Sequence, residues 1–498
     1  MRLSVLLAGL EVLRLEGWGD VEVAGIAYYS QRVKAGDLFV AVPGFKTDGH
    51  LYIKEALERG AAALVVAEGW ERPADMTADA IVVRAEDTRL AMALLSDRFW
   101  GHPSGRLKLV GVTGTNGKTT TTHLIEAAAA RAGMVSGLIG TVVYRVAGRE
   151  LPVGRTTPES AELQEILATM ADEGCEAVSM EVSSHALALH RVEGCDFEVA
   201  VFTNLSQDHL DFHSDMDDYF RVKERLFLPR SQGGLEARAA AINVDDPCGR
   251  RLVERAAGRV LTFGVAEEAD LRGELLGAGL TRSRVEVAYG GWRWEGSTAL
   301  TGRFNLYNIL ASLGACILLG LDAESSLHGI LSHPGVPGRF QAVEEGQDFA
   351  VLVDYAHTPD SLRRVLEAAR EIARARVITV FGCGGDRDRG KRPMMGEIAV
   401  KTSDLVFITS DNPRSEEPLA IIADIEEGAR TVSEGAPYTV VADRRAAIEA
   451  AVQEAGAGDV VVIAGKGHER GQIFADRVLP FDDVEEAGSA LRKGISRQ

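Results

Sequence analysis

The stretch KLVGVTGTNGKTT at residues 108–120 decides the fold of this chain. Its first residues, Lys108 to Val112, form the apolar run of a buried strand, and a helical pattern begins at Lys118. Between them, glycines let backbone N–H groups turn toward phosphate oxygens, and the helix N-terminus adds positive potential. The spacing therefore predicts a phosphate-binding loop, although Val112 stands where the strict GxxxxGK[ST] pattern has glycine.

The side chains of this loop suggest how a nucleotide is held. Lys118 can reach the β- and γ-phosphates, and the Thr119 hydroxyl can hold Mg²⁺. A glycine-rich turn without a ligand is the alternative. The sequence contains no Asn-Lys-x-Asp motif for reading guanine, and its nearest match, NVDD at 243–246, lacks the lysine. A phosphate loop alone predicts nucleotide binding but not the reaction.

Strands and helices alternate on both sides of the loop, which predicts an α/β protein of three domains. A small N-terminal α/β domain is expected over 1–105, a central P-loop ATPase-like parallel sheet over 106–335 and a Rossmann-like doubly wound sheet over 336–498. Apolar strands are predicted at 350–354, 377–381, 405–409 and 460–464. Residues 285–294 predict a β-hairpin that forms an antiparallel edge or insertion.

Composition excludes several classes of protein. The 498 residues include 73 acidic and 54 basic side chains, a net charge of −19, which disfavours general binding to nucleic acid. No apolar run has the length of a membrane span, and no secretory signal is evident, so we expect neither a membrane span nor export. The five cysteines are scattered and never in C-x-x-C spacing, which fits a reducing cytoplasm.

Acidic and histidine side chains follow the next predicted strands. Glu181 ends one strand and could hold Mg²⁺ opposite Thr119, although a solvated glutamate is an equal alternative. The run DHLDFH at 208–213 favours metal binding over capping and turn roles, but not a structural zinc site, because no cysteine is near.

A lysine on an apolar helix face is a further candidate. Residues 219–228 predict an amphipathic helix, and Lys223 lies on its apolar face. Such a lysine can extend its amine to solvent. Alternatively, burial lowers its pKa, so that the neutral amine takes up CO₂ and becomes a carbamate.

Taken in order, these motifs resemble the Mur ligase family, which builds the peptidoglycan stem peptide. The matching motifs are GTNGKT at 114–119, EVSSH at 181–185, NL at 204–205 with DHLDFH at 208–213, and GRFNLYN at 302–308. Ser30, GDLFVA at 36–41 and DGH at 48–50 resemble a uridine-binding domain of the family. The resemblance runs almost end to end. It implies a ligase that uses ATP and Mg²⁺ to form an acyl phosphate, which an amine then attacks.

The resemblance also implies roles for individual residues. Lys118, His209 and Lys223 are implied to be catalytic, the last as N6-carboxylysine. Metal ligands are implied at Thr119, Glu181, His209 and Lys223. The implied ATP contacts are Gly114, Thr115, Asn116, Gly117, Lys118, Thr119, Thr120, Asn305, Arg339 and Asp354.

For the UDP-linked substrate, UDP-N-acetylmuramoyl-L-Ala-D-Glu, the resemblance implies contacts from Ser30, Thr156, Thr157, Ser183 and Arg191. Three positions depart from the usual family pattern: Tyr29 and Gln31 flank Ser30 where Asp and Arg are common, and Leu189 stands where Gln is common. These departures concern individual uridine and muramyl contacts and not the reaction.

The incoming amino acid is predicted from loops that follow strands of the C-terminal domain. The DNPR form at 411–414 resembles that of diaminopimelate-adding members, and two arginine forks suit the far carboxylate that L-lysine lacks. Glu469 offers a partner for an ammonium group. The implied contacts to meso-diaminopimelate are Arg387, Asp411, Asn412, Pro413, Arg414, Gly465 and Glu469.

Three alternatives stay open at this point. The same ligase could add L-lysine. A folylpolyglutamate-synthase-like ligase shares the ATP core, but that relative lacks the first domain. A P-loop regulatory protein without ligase activity would bind nucleotide tightly without substrate-dependent ADP release, and it would leave three ligand loops without a role.

Overall fold

The computed structural model describes residues 1–10, 13–16, 19–44, 47–74, 76, 80–210, 212–432 and 435–495. The expected α/β architecture is confirmed, with three large, mainly parallel sheets along the chain. Among the described residues, no helix has both the length and the apolar character that crossing a bilayer requires.

The first sheet has five strands in the order β1-β5-β4-β3-β2, of which only β1 is antiparallel to its neighbour. Its elements are α1 (Leu3–Leu7), β1 (Leu13–Glu16), β2 (Ile26–Ala27), β3 (Leu38–Val40), α2 (Ile53–Glu58), β4 (Ala63–Ala67), β5 (Val82–Ala85) and α3 (Thr88–Phe99). Helix α3 begins at Thr88, where the Asp87 side chain caps its first backbone N–H groups. Short 3₁₀ helices at Ser30–Arg32 and Gly49–Tyr52 contact α2, and another at Pro103–Arg106 leads to the next sheet.

The central sheet has eleven strands, in the order β16-β15-β14-β13-β12-β11-β6-β10-β7-β8-β9. Its elements are β6 (Lys108–Thr113), α4 (Lys118–Arg131), β7 (Ser136–Ile139), β8 (Tyr144–Val146), β9 (Arg149–Leu151), α5 (Ser160–Asp172), β10 (Ala177–Glu181), α6 (Ser184–Ala188), β11 (Val199–Phe202), α7 (Met216–Glu224), β12 (Ala239–Asn243), α8 (Pro247–Val253), β13 (Arg259–Gly264), β14 (Leu271–Ala278), β15 (Ser283–Tyr289), β16 (Trp292–Thr298), α9 (Arg303–Leu318) and α10 (Ala323–Leu331).

The phosphate-loop strand lies in the middle of this sheet. β6 pairs in parallel with β10 on one side and β11 on the other, so the loops after all three strands meet at one edge. Apolar clusters cover both faces, one containing Leu109 and Met180 and the other Val110 and Val112. The hairpin predicted at 285–294 is confirmed, as β15 and β16 at the antiparallel end of the sheet.

The third sheet has six strands in the order β17-β18-β22-β19-β20-β21, all parallel except β17. Apolar clusters on both faces confirm the doubly wound arrangement. Its elements, with a separate hairpin of β23 and β24, are β17 (Gln341–Ala342), β18 (Ala350–Asp354), α11 (Pro359–Ile372), β19 (Val377–Phe381), α12 (Lys391–Thr402), β20 (Leu405–Ile408), α13 (Pro418–Ala429), β21 (Tyr438–Val440), α14 (Arg444–Glu454), β22 (Val460–Ala464), β23 (Gly471–Ile473), β24 (Val478–Pro480) and α15 (Asp483–Ile495).

One helix differs from its prediction. The helix predicted at 219–228 is wrong at both ends, because α7 begins at Met216 and ends at Glu224. Asp215 caps its start by accepting a hydrogen bond from the backbone N–H of Asp218. Leu226 and Phe227 are buried as the apolar pattern suggested, but they lie in the turn after the helix.

Candidate active site

The phosphate loop is shaped by two glycines at which a side chain has no room. Gly114 and Gly117 have φ angles of +143° and +87°, in the region that favours glycine. A Cβ on Gly114 would lie 2.0 Å from the Thr203 hydroxyl oxygen, and one on Gly117 would lie 2.4 Å from Asn308 Oδ1. The loop therefore packs directly against residues from β11 and α9, and α4 begins at its far end.

The turn after β11 holds this loop in place through hydrogen bonds. Asn204 Oδ1 accepts from the backbone N–H of Asn116 at 3.1 Å, and Asn204 Nδ2 donates back to the Asn116 carbonyl at 3.2 Å. The Thr203 hydroxyl donates to the same carbonyl at 2.6 Å. Thr203 was not singled out from the sequence, and the only indication was a polar residue directly after a buried strand.

Two lysines meet at one backbone carbonyl inside the loop. Lys118 Nζ donates to the Gly114 carbonyl at 2.9 Å and to the Thr115 carbonyl at 2.8 Å. Lys223 Nζ, from α7, donates to the same Gly114 carbonyl at 2.9 Å and lies 4.5 Å from the centre of the Tyr219 ring. The Lys223 side chain is 1% exposed, so its amine is enclosed and does not extend to solvent.

Burial and mutual repulsion disfavour the charge on these lysines. Burial lowers the pKa of Lys118, while the nearby carboxylates of Glu181 and Asp208 act in the opposite direction. Burial lowers the pKa of Lys223 well below its usual range, and the Lys118 ammonium lowers it further. No described residue forms an ion pair with Lys223, so the structure favours its neutral amine.

Glu181 lies at the end of β10, beside the phosphate loop. Its carboxylate accepts hydrogen bonds from the Thr141 backbone N–H at 2.7 Å and the Thr141 hydroxyl at 3.2 Å. A carboxylate and the nearby Thr119 hydroxyl are the hard oxygen ligands that Mg²⁺ prefers, usually together with water and phosphate oxygens. The donor set thus fits Mg²⁺, although the described residues contain no cluster of three or more potential His, Cys, Asp or Glu ligands.

The histidines of the predicted metal loop gather around Tyr219. His209 has a φ of +54°, and its ring centre lies 6.1 Å from that of Tyr219 and 4.9 Å from that of His185. His209 and Lys223 thus both lie against Tyr219. Burial lowers the pKa of the neighbouring His213 and favours its neutral form. Asp211, from the same sequence motif, lies outside the described residues.

Four of the residues predicted to bind the UDP-linked substrate lie together beside Glu181. Thr157 donates from its hydroxyl to the Glu181 carbonyl at 2.8 Å, and Arg191 donates to the Thr157 carbonyl at 3.2 Å. Ser183 caps α6 and donates its backbone N–H to the Thr157 hydroxyl at 3.2 Å. The Thr156 hydroxyl lies 3.1 Å from that of Thr141, which contacts Glu181.

Ser30 lies apart from this group, in the 3₁₀ helix Ser30–Arg32 that follows β2, where its hydroxyl donates to Glu55 at 2.7 Å. Its neighbour Tyr29 accepts a hydrogen bond from Arg155 at 3.4 Å, which links the two groups. Gln31 is exposed and Leu189 is half-buried, so neither departure from the family pattern disturbs the packing.

The three predicted ATP contacts outside the phosphate loop form two groups. Asn305, on α9, accepts a hydrogen bond from Asn308, the side chain that lies against Gly117. Asp354 ends β18 and accepts from the backbone N–H groups of Phe340 and Ala356 at 2.7 and 2.8 Å. The Arg339 guanidinium lies 4.8 Å from the centre of the Tyr355 ring, and its charge lowers the pKa of Lys118, so it lies on the phosphate-loop side.

The loops after β19, β20 and β22 bring the predicted amino-acid contacts together. Arg414 has a φ of +54° and donates to the Gly385 carbonyl at 2.8 Å, while a Cβ on Gly384 would lie 2.9 Å from its Nη1 and 3.7 Å from Arg387 Cγ. Both guanidinium-bearing side chains therefore border one glycine turn. Arg387 itself is exposed.

A second part of this site centres on a lysine that was not singled out from the sequence. Lys466 is fully buried and donates to Asn412 Oδ1 at 2.9 Å and to Glu469 Oε2 at 3.1 Å. Asn412 Nδ2 donates to the same Glu469 oxygen at 2.7 Å, which leaves Oε1 without a hydrogen bond from the described residues. Beside them, Asp411 Oδ2 is buried and has no hydrogen-bond partner in the described part of the chain, and it lies 2.6 Å from where a Cβ on Gly465 would lie.

A buried ion pair supports the two loops that carry these residues. Arg444 forms two hydrogen bonds to Asp483, at 2.8 and 2.7 Å, with both side chains fully buried. The same guanidinium donates to the Ala464 carbonyl at 3.0 Å, directly before Gly465. It also reaches the Ser410 carbonyl, directly before Asp411, at 3.5 Å. Helix α15 is thereby tied to the ends of β20 and β22.

Comparisons with known proteins find relatives along almost the whole chain. Three family profiles match: "Mur ligase family, catalytic domain" at 22–100, "Mur ligase middle domain" at 112–316 and "Mur ligase, glutamate ligase domain" at 338–467. The chain is 44% identical over 485 residues to a protein of Caldanaerobacter subterraneus (97% of this chain, 98% of that one) and 45% identical over 497 residues to one of Geobacillus kaustophilus (99% and 100%). Both relatives are named UDP-N-acetylmuramoyl-L-alanyl-D-glutamate–2,6-diaminopimelate ligase. A solved structure under that name, 33% identical, superimposes with a TM-score of 0.66 over 95% of each chain.

Proposed function

Since the chain belongs to the Mur ligase family, we propose that it is the ligase that adds meso-diaminopimelate to UDP-N-acetylmuramoyl-L-Ala-D-Glu. The observation that carries this proposal is the meeting of Lys118 and Lys223 at the Gly114 carbonyl, beside Glu181 and the Thr157 group. Full-length relatives at 44–45% identity that carry this enzyme's name support it.

The reaction proceeds in two steps. An oxygen of the D-Glu side-chain carboxylate attacks the γ-phosphorus of ATP, and the bond to ADP breaks. An amine nitrogen of diaminopimelate then attacks the acyl carbon, phosphate leaves with the C–O electron pair, and the nitrogen loses a proton. Neither step needs a covalent bond to the protein, so the chain contributes alignment and charge neutralisation.

The phosphate loop supplies the first of these contributions. Gly114 to Thr120 surround the phosphates with backbone N–H groups, and Lys118 neutralises charge that develops on the transferred group. Asn305, Arg339 and Asp354 contact the nucleoside, the last two from the C-terminal domain. Mg²⁺ bound by Thr119 and Glu181, and a second ion held with His209 and Lys223, would neutralise phosphate charge.

Lys223 would hold the second ion only as N6-carboxylysine, because its unmodified amine offers no anionic oxygen. The neutral amine attacks the carbon of CO₂, a C–N bond forms, a C–O π bond opens onto oxygen, and the nitrogen releases one proton. The product, N6-carboxylysine, carries one negative charge where a lysine carries a positive one. That charge is complementary to Lys118 and to Mg²⁺, and it ends the repulsion between the two amines.

The three domains divide the substrates between them. Residues 1–105 hold the uridine end through Ser30, residues 106–335 hold ATP and the reacting end of the UDP-linked substrate, and residues 336–498 hold diaminopimelate and part of the nucleoside. Thr156, Thr157, Ser183 and Arg191 orient the dipeptide toward the phosphate loop. Since ATP and UDP-linked precursors are cytoplasmic compounds, we place the reaction in the cytoplasm.

Specificity for diaminopimelate depends on its far amino-acid head group. Arg387 and Arg414 receive the carboxylate, and Glu469 Oε1 receives the ammonium. Asp411, Asn412, Pro413 and Gly465 shape the pocket between them. L-Lysine lacks the far carboxylate, so it would leave the Arg414 guanidinium partly desolvated without a partner.

We expect the protein to use meso-diaminopimelate with a higher kcat/KM than L-lysine, and Arg414→Ala to lower kcat/KM for diaminopimelate by about 10- to 100-fold. Loss of one charge-assisted hydrogen bond to a carboxylate has this size. The measurement is ADP release with each amino acid, and Arg477→Ala, an exposed arginine of the neighbouring hairpin, is the matched control. Equal or better use of L-lysine by the wild type would contradict the assignment, and an unchanged preference in Arg414→Ala would remove Arg414 from it.

A further inference from the structure

Three arginines from separate parts of the chain converge on one carboxylate. Glu159 lies directly before α5, and its side chain is 5% exposed. It pairs with Arg89 from α3 at 3.1 Å, with Arg155 at 3.2 Å and with Arg191 at 2.9 Å. We call these three residues the Glu159 arginine cluster. Arg89 belongs to the first sheet's domain and the other two to the central one.

The cluster carries more positive charge than its surroundings neutralise. Three guanidinium groups against one carboxylate leave two positive charges in excess. Their remaining hydrogen bonds go to uncharged acceptors: Arg89 to the Pro43 carbonyl, Arg191 to the Thr157 carbonyl and Arg155 to the Tyr29 hydroxyl. The nearby Glu162 pairs with Arg32 instead, at 3.1 Å.

An unpartnered polar atom marks the same place. Arg191 Nε is buried and has no hydrogen-bond partner among the described residues. Burial lowers the pKa of Arg191, the Glu159 carboxylate acts in the opposite direction, and the charges of Arg155 and Arg89 lower it further. Three guanidinium groups that share a single buried carboxylate are costly unless a further anion joins them.

The cluster lies between the two ends of the proposed UDP-linked substrate. Arg155 contacts Tyr29, the neighbour of Ser30, at the uridine end. Arg191 donates to the Thr157 carbonyl, and the Thr157 hydroxyl donates to the Glu181 carbonyl at the end of β10, which is the proposed position of the reacting end. In UDP-N-acetylmuramoyl-L-Ala-D-Glu, the group between uridine and sugar is a diphosphate with two negative charges.

We propose that Arg89 and Arg155 bind the diphosphate of the UDP-linked substrate, and that Glu159 is a positioning residue that holds their guanidinium groups toward it. The inference rests on the proposed function for the identity of that substrate. Arg191 is already assigned to the dipeptide, which leaves the Arg89 and Arg155 guanidinium forks for the phosphate oxygens of the diphosphate. A single carboxylate of the dipeptide would leave one of these charges unmatched.

Direct binding in the absence of ATP and amino acid tests this assignment. In calorimetry with UDP-N-acetylmuramoyl-L-Ala-D-Glu, we expect Arg155→Gln to raise Kd by about 10- to 100-fold, and Arg155→Lys to recover part of the loss. When free UDP displaces that substrate, we expect the Ki of UDP to be higher by a similar factor in Arg155→Gln than in the wild type. An unchanged Ki for UDP in Arg155→Gln would overturn the proposal and point to the dipeptide carboxylate. Failure of UDP to displace the UDP-linked substrate from the wild type would do the same.

Two controls separate this role from a structural one. Arg106→Ala removes an exposed arginine that pairs with Asp172 on the same helix α5, and it should leave Kd unchanged. In the ligase assay, Arg155→Gln should raise KM for the UDP-linked substrate while kcat and KM for ATP stay within about twofold. A fall in kcat of the same size, whichever of the three substrates is varied, would contradict the proposal. If the wild type bound the UDP-linked substrate but added no diaminopimelate, the proposed function would fail. The Kd values of the wild type and Arg155→Gln would still decide this inference.

Discussion

Replacing Lys118 with alanine is expected to lower kcat by roughly 10²-fold or more while the melting temperature barely changes. The amine lies against the carbonyls of Gly114 and Thr115, where the γ-phosphate of ATP would be transferred. Alanine removes a fixed positive charge at the point where negative charge develops. The folded state loses little, because burial already disfavours the charged amine at this position.

The comparison needs a lysine that is close in sequence but outside the site. Lys108 serves this purpose, because it is exposed at the start of β6, the strand that leads into the phosphate loop. Lys108→Ala should retain wild-type kcat. Melting curves and steady-state ADP release are measured on all three proteins. A large drop in melting temperature in Lys118→Ala with retained turnover would identify Lys118 as a structural residue.

The sequence predicts the buried parallel strands well, and the reason is physical. The strands at 350–354, 377–381 and 460–464 match their predictions, because a strand covered on both faces is a continuous apolar run between turns. The hairpin of β8 and β9 was missed. Its turn is Ala147-Gly148, both with positive φ, and alanine at such a position gives none of the usual turn pattern.

The candidate site was predictable as a set of strand ends but not as a set of contacts. Parallel pairing of β6, β10 and β11 brings the loops after them together, and periodicity alone supports that expectation. By contrast, Lys223 and Gly114 are 109 residues apart, and nothing local predicts their hydrogen bond. Lys466 was missed for a similar reason, since its partner Asn412 follows a different strand. Such contacts depend on how helices and loops pack over the sheet.

The second large effect is expected at Lys223. Lys223→Ala should fold normally and lose roughly 10²-fold or more of its kcat, since the variant cannot form the carbamate that we propose holds a metal ion. The wild-type amine is enclosed, has no ion-pair partner among the described residues and shares an acceptor with Lys118. An unmodified lysine there adds positive charge beside Lys118 without a partner, whereas a carbamate supplies the missing negative charge. Near-wild-type kcat in Lys223→Ala would contradict the role.

Small carboxylates give a sharper test than loss of activity. In Lys223→Ala the vacated space can admit acetate or formate, whose charge and oxygens replace those of the carbamate, so we expect partial recovery of kcat with added acetate. Lys223→Met fills the same space with an apolar chain, and acetate should not restore it. Arg221→Ala, an exposed position on the same helix, controls for general effects on α7. Recovery of both Lys223 variants by acetate would indicate a nonspecific salt effect.

The carbamate itself can be observed apart from activity. After equilibration with ¹³C-labelled bicarbonate, the wild type should show a carbamate carbon resonance that Lys223→Met lacks. Only the neutral amine reacts with CO₂, and the pKa of Lys223 is lowered well below its usual range by burial and by the Lys118 charge. The modification should therefore persist to lower pH than at an exposed lysine, and it should be lost as the pH falls through the lowered pKa. A carbamate resonance that persisted in Lys223→Met would contradict the assignment to Lys223.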